Sequence, residues 1–147
     1  MNAVIFIGIQ ASGKSTFYAH QFSRTHLRLN LDMLKTRHRE RELFAAAIAT
    51  NTQIVIDNTN PTVADRARYI APSKAAGYRI IGYYFQSEID ACKQRNSNRP
   101  SDEQVPLAGL LGTHGRLEMP RLDEGFDDLF YVRIKNENEF TIEEWRE

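Results

Sequence analysis

A three-layer α/β fold, with a parallel sheet covered on both faces by helices, is what this sequence predicts on three observations. Short apolar runs rich in β-branched residues alternate with longer helical patterns along all 147 residues. Most of these runs are continuous rather than alternating, as expected of parallel strands buried on both sides. No repeat, low-complexity segment or Gly/Ser-rich linker interrupts the alternation, so right-handed crossovers within one domain account for all of it.

The elements follow in order. Residues 3–7 read as the first strand and residues 14–25 as a helix. Residues 27–30 read as the second strand, and residues 32–50 as one long helix. After the strand at residues 53–57 comes a helix over 61–76, with Asn60 as N-cap, Pro61 at its first position and Gly77 as its stop. Residues 78–85 form the fourth strand. Ser87, with Asp90 three residues on, is close to a capping box opening a helix over 88–96. Residues 107–117 read as helical despite Gly109, Gly112 and Gly115, and residues 129–134 as the fifth strand. Residues 136–147 read as a short acidic, solvated extension from which Trp145 docks back.

Composition bounds the function. A chain of 147 residues, 41% hydrophobic and 26% charged, is expected to form one globular domain with a core of its own. Cys92 is the only cysteine, which excludes an internal disulfide and fits a reducing, cytoplasmic setting. The apolar run at residues 3–7 is too short to span a membrane and lacks the flanks of a signal peptide. The four histidines show no zinc spacing. A net charge of zero hides an asymmetry: residues 1–121 carry 16 Lys and Arg against 10 Asp and Glu, and residues 122–147 carry 3 against 9. A basic body suits an anionic substrate as well as it suits an ordinary solvated surface.

The strongest motif is Gly8-Ile9-Gln10-Ala11-Ser12-Gly13-Lys14-Ser15, followed by Thr16. It fits GxxxxGK[ST], directly after a strand and opening a helix. The glycines allow successive N–H groups to turn inward around an anion, and the helix adds its positive dipole end. Lys14 would reach the β- and γ-phosphates of ATP, and the Ser15 hydroxyl would ligate Mg²⁺. Residues Gly8 and Gln10 to Thr16 are therefore the nucleotide-binding candidates.

Three further stretches narrow the reading. In Asn30-Leu31-Asp32-Met33-Leu34-Lys35, an acid follows the second strand at the sheet edge where ligands bind in open α/β folds. Asp32, Lys35 and Arg39 are spaced to share one helix face, although Asp32 could equally charge a first helical turn. In Ile54-Val55-Ile56-Asp57-Asn58-Thr59-Asn60, an apolar strand ends in Asp57, the form of an acid that binds Mg²⁺ beside a nucleotide. The polar Asn58, Thr59 and Asn60, with Lys35, Arg39 and Arg68, are the substrate-contact candidates. In Gln94-Arg95-Asn96-Ser97-Asn98-Arg99-Pro100, two arginines four apart precede a polar segment. With residues 95–117 as a lid, Arg95 and Arg99 would neutralise charge on a transferring phosphoryl group. Phe17, Tyr18, Tyr69, Tyr83 and Tyr84 sit at helix and strand spacing, which favours core packing over base stacking.

Together GIQASGKST, NLDMLK, IDNTNPTVADRARY, KQRNSNR and MPRLDEGF resemble the 5′-hydroxyl polynucleotide kinase family over nearly the whole chain. That resemblance implies a P-loop NTPase kinase fold with a five-stranded parallel sheet, the loop-bearing strand central, and a short helical lid. It implies Asp32 as general base, Lys14 and Ser15 as phosphate and metal contacts, and Arg95 and Arg99 as lid arginines. ATP and Mg²⁺ would be the cofactors, and the partner a hydroxyl acceptor such as a nucleic-acid end. By analogy the loop at residues 121–126 would contact the adenine of ATP. One position departs from the family: Lys35 stands where arginine is common, keeping the charge but losing the bidentate fork. A kinase of a small metabolite (nucleoside, sugar or antibiotic) and a nucleotide-dependent switch remain the alternative readings.

Overall fold

Every position from Ala3 to Ile7 of β1 (Asn2–Ile7) is buried because this strand lies in the interior of the sheet. The computed structural model describes residues 1–136 and 138–147. The remaining elements are α1 (Lys14–Gln21), β2 (Leu27–Leu29), α2 (Leu31–Leu34), α3 (Arg37–Ala49), β3 (Ile54–Ile56), α4 (Val63–Ala75), β4 (Arg79–Phe85), α5 (Ile89–Ser97), α6 (Leu107–Arg116), a 3₁₀ turn (Leu122–Glu124), β5 (Asp128–Asn136) and β6 (Glu139–Glu144). The sheet order is β2-β3-β1-β4-β5-β6, parallel through β5, with β6 antiparallel at the edge.

Residue parity along β1 divides the core. Ala3, Ile5 and Ile7 join Ile54, Ile56 and Ile80 beneath Phe44 and Ala47 of α3 and Tyr69 and Ile70 of α4. Val4 and Phe6 join Val55, Phe85 and Val132 beneath Phe17 of α1. On that second face Phe6, Phe17 and Phe85 meet edge to face at centroid separations of 5.0–5.8 Å, the arrangement their ring quadrupoles favour. Phe17, Tyr69 and Tyr84 are thus core residues, with Tyr18 and Tyr83 packed against the core.

Three expectations are corrected. The long helix over 32–50 is two helices: Lys35, at φ 77°, ends α2, and the Thr36 side chain accepts from the Arg39 amide to cap α3. Asp32, Lys35 and Arg39 therefore do not share a helix face. The helix after β3 begins at Val63 and not at Pro61. Asn60 turns the chain at φ 45° and spends its side chain on the Phe6 carbonyl, at 2.8 Å, while Thr62 and Asp65 form the capping box. The acidic extension supplies a sixth strand, so the sheet has six strands rather than five. β6 is rich in β-branched and aromatic residues, and its glutamates keep the outer edge charged against further pairing. Trp145 does dock back: its amide donates to the Leu129 carbonyl, and its ring stacks on Tyr131 at 5.8 Å.

One buried ion pair ties the sheet edge to α4. Arg66 is fully buried; its Nε and Nη2 donate to the two carboxylate oxygens of Glu124 at 2.7 and 3.1 Å, and its Nη1 donates to the Asn60 and Pro61 carbonyls. Removing one partner strands a buried charge, so Arg66→Ala should cost about 3–5 kcal/mol in urea denaturation. A loss below about 1 kcal/mol would show that the pair does not organise this edge.

Candidate active site

The loop between β1 and α1 is held in shape by its neighbours. The Gly8 amide donates to the Thr59 carbonyl after β3, and the Ile9 amide to the Ser87 hydroxyl after β4. A Cβ on Gly8 would lie 2.8 Å from Ser12 Oγ and 3.0 Å from the Phe85 Cβ, so only glycine fits. Ala11 and Gly13 both take positive φ, 62° and 99°. Gly13 N-caps α1 without a side-chain acceptor, which leaves the first-turn N–H groups free for an anion.

At the centre of this cradle Lys14 Nζ donates to the Gly8 and Ile9 carbonyls at 2.9 and 2.7 Å and lies 3.3 Å from Ser12 Oγ. Burial lowers its pKa from 10.5 to about 8, with Asp57 the main opposing influence. The ammonium is pinned among carbonyl oxygens where an anion would be a better partner.

On the β3 side the Ser15 hydroxyl lies 3.4 Å from a carboxylate oxygen of Asp57. A hydroxyl and a carboxylate are hard oxygen donors of the kind a divalent cation takes beside a nucleotide, and the pair fits Mg²⁺. Sequence reasoning missed a third member. Arg28 of β2 donates through Nε to that same Asp57 oxygen at 2.8 Å and through Nη2 to Ser15 Oγ at 2.9 Å. The only sequence signal was a charge in the middle of Leu27-Arg28-Leu29.

A cavity of about 500 Å³ opens over the cradle. It brings together Gln10, Ala11, Gly13, Lys14, Ser15 and Thr16 of the loop, Asp57, Asn58, Thr59 and Asn60 at the end of β3, and Asp32 of α2. The Asp32 carboxylate accepts no hydrogen bond among the described residues, while neighbouring Asn30 caps α2 and donates to the Asp57 carbonyl at 2.6 Å. Arg99 and Arg116 reach the cavity from the α5–α6 side and Arg37 from α3. Sequence reasoning did not single out Arg116.

Other candidates lie elsewhere. Lys35 is exposed and is not part of the lining of the cavity over the cradle; Arg39 is also exposed, with its guanidinium on the Leu34 carbonyl at 3.2 Å. Arg68 lines a separate groove between α3 and α4. Arg95 sits across the loop from Asp32: its Nε donates to the Ala11 carbonyl at 2.6 Å and its Nη2 to the Cys92 sulfur at 3.2 Å. There it lines a second cavity of about 480 Å³ with Gly13, Asn98, Arg99, Ile134 and Phe140. Arg99 alone of the two lid arginines faces both cavities. The loop at residues 121–126 packs on α4 through Glu124 and Gly125.

The AAA domain family matches residues 35–120. The chain belongs to the AAA domain family. As an AAA domain it is 29% identical over 136 residues to the bifunctional polynucleotide phosphatase/kinase of Schizosaccharomyces pombe, covering 90% of this chain. It spans 33% of that relative's length. Among solved structures it resembles Kti12 of Chaetomium thermophilum in complex with ADP-AlF3, with a TM-score of 0.67 at 18% identity over 92% of this chain and 90% of that one. A gluconokinase from Sinorhizobium meliloti 1021 gives a TM-score of 0.64 at 15% identity over 93% and 85%. The fold is the P-loop kinase fold. No helix among the described residues is long and apolar enough to cross a membrane.

The depressed pKa of Lys14 is open to direct measurement. In a ¹³Cε NMR titration, one lysine should show a midpoint near 8, well below the ordinary lysine value of about 10.4. Tripolyphosphate should move the low midpoint upward, because an anion in the cradle favours the charged form. A full set of lysine midpoints above about 10 in the free protein would contradict the buried ammonium.

Proposed function

We propose that this AAA domain is an ATP-dependent phosphotransferase that moves the γ-phosphoryl group of ATP to the 5′-hydroxyl end of a polynucleotide. The observation that carries the reading is the Asp32 carboxylate, unpaired among the described residues and sharing one cavity with the Lys14 ammonium. An acid and a cradle lysine in one water-accessible space are what transfer to an alcohol requires. A cradle serving nucleotide binding alone has no use for the acid. The resemblance in motif to polynucleotide kinases and the similarity to the S. pombe polynucleotide phosphatase/kinase support the acceptor class.

The cradle would hold the β- and γ-phosphates on the α1 first-turn amides, with Lys14 leaving the Gly8 and Ile9 carbonyls for phosphate oxygens. Asp32 would accept a hydrogen bond from the acceptor hydroxyl and aim its oxygen at the γ-phosphorus. A carboxylate is far too weak a base to deprotonate an alcohol beforehand, so the proton passes to Asp32 late, after most of the bond change. Arg99, carried on a lid over residues 95–117, would neutralise charge on the equatorial oxygens. Arg95 holds the Ala11 carbonyl and borders the second cavity, which suits it to the nucleoside end of ATP. Ser15 and Asp57 would hold Mg²⁺, which when bound neutralises charge between the β- and γ-phosphates. Arg28 must then release the Asp57 oxygen it now holds. Arg37 takes the place beside the acceptor that Lys35 leaves empty, and it restores the guanidinium fork.

Asp32→Asn should lower kcat with a 5′-hydroxyl oligonucleotide by at least about 10²-fold, with the Kd for ATP within about twofold of the original. Full turnover in that variant would remove Asp32 from the chemistry. Nucleosides and sugars phosphorylated in preference to the oligonucleotide would keep the phosphotransfer and overturn the acceptor.

A further inference from the structure

A second groove, of about 640 Å³, lies between α3 and α4, and nothing in the chemistry above uses it. Its floor is apolar, from Phe44 and Ile48 of α3 to Pro72 of α4. Ala45 and Ala49, one turn apart on α3, keep it open. Its rim is basic. Arg37 forms one end and also lines the cavity that holds Asp32, so the groove runs on from the acceptor side of that cavity. Arg41 and Arg68 stand exposed along the rim, with no carboxylate partner among the described residues.

The acid in this region does not cancel that charge. Glu40 is buried and already satisfied: Arg37 and Tyr69 donate to one oxygen at 2.9 and 2.6 Å, and Asn58 to the other at 2.7 Å. The same network couples the two spaces, since Asn58 lines the cavity and Tyr69 the groove.

We propose that this groove seats the nucleotides that follow the reacting 5′ end of a single-stranded polynucleotide. Bases lie on the apolar floor, and backbone phosphates lie against Arg41 and Arg68. Charge complementarity selects this occupant. Exposed arginines over a floor of Phe44, Ile48 and a proline ring match a chain that alternates phosphates with flat, weakly hydrated faces. A docked protein segment would have to bring acids to the rim. The inference rests on the polynucleotide reading of the active site, and it adds where specificity for a longer acceptor resides.

The test compares two acceptors, a nucleoside 3′-monophosphate that spans only the Asp32 cavity and a single-stranded 5′-hydroxyl 12-mer. The wild-type chain should show a KM at least about tenfold lower for the 12-mer, because added stacking and phosphate contacts are each strong enough to give that factor. Arg41→Glu and Ala45→Trp, both at exposed positions, should raise the 12-mer KM by about tenfold. Both should leave kcat/KM for the mononucleotide and the KM for ATP within about twofold, and circular dichroism should confirm the fold. The slope of log binding constant against log salt should weaken by about 0.7 in Arg41→Gln, one phosphate contact on a single strand. A 12-mer KM unchanged in both variants would overturn the groove and leave the kinase reading standing. If the wild-type chain phosphorylates neither acceptor, the kinase reading falls, and anisotropy of a labelled 12-mer decides the groove by itself. Binding lost in Arg41→Glu and Ala45→Trp supports it, and binding unchanged overturns it.

Discussion

A buried ammonium with only carbonyl and hydroxyl oxygens for company is the constraint around which the rest of this molecule is arranged. Lys14 donates to Gly8 and Ile9, residues that stay in place only because Thr59 and Ser87 receive their amides. The turns that follow β3 and β4 are thereby fixed to the loop that follows β1. Asp57, Asn58 and Thr59 are set beside the phosphate seat by the same hydrogen bonds that shape the seat. The cost of burying the charge shows in the lowered pKa of Lys14, and an incoming polyphosphate relieves it.

Charge is handled similarly on the neighbouring strand. In the free protein Asp57 would be a buried carboxylate facing the hydroxyl of Ser15. Arg28 satisfies both, and it lies over the Tyr18 ring with its guanidinium carbon 5.6 Å from the centroid. Arg28 and Asp57 therefore balance one another's charge before any ligand arrives, and a cation bound there would exchange partners rather than create new charge. Asp32 shows the opposite arrangement, since its carboxylate has no partner to exchange among the described residues.

Much of this was legible in the sequence, for reasons that differ from residue to residue. The parallel sheet could be read because continuous apolar strands have few other uses, and the phosphate loop because only glycine satisfies its backbone at Gly8 and Gly13. Asp32 and Asp57 could be read because each ends an apolar run at one sheet edge. Hidden features were those decided by tertiary partners. Nothing local marks Arg28 or Glu40 as partners of Asp57 and Tyr69, which lie 29 residues further along in each case. The break at Lys35 was hidden because its positive φ contradicts its propensity. β6 was read as a tail because its acids mask an alternating pattern with Phe140 and Ile142. Two motifs that carried the family resemblance proved to be partly structural: Arg66 of one and Glu124 of the other form a single buried ion pair.

The central claim is spatial, and one structure tests it: a complex with Mg²⁺, a non-hydrolysable ATP analogue and a 5′-hydroxyl dinucleotide. The account predicts the acceptor oxygen within about 3.2 Å of an Asp32 carboxylate oxygen, with Lys14 Nζ withdrawn from the Gly8 and Ile9 carbonyls onto phosphate oxygens. An acceptor hydroxyl bound elsewhere, with Asp32 left facing solvent beyond hydrogen-bond reach, would contradict it.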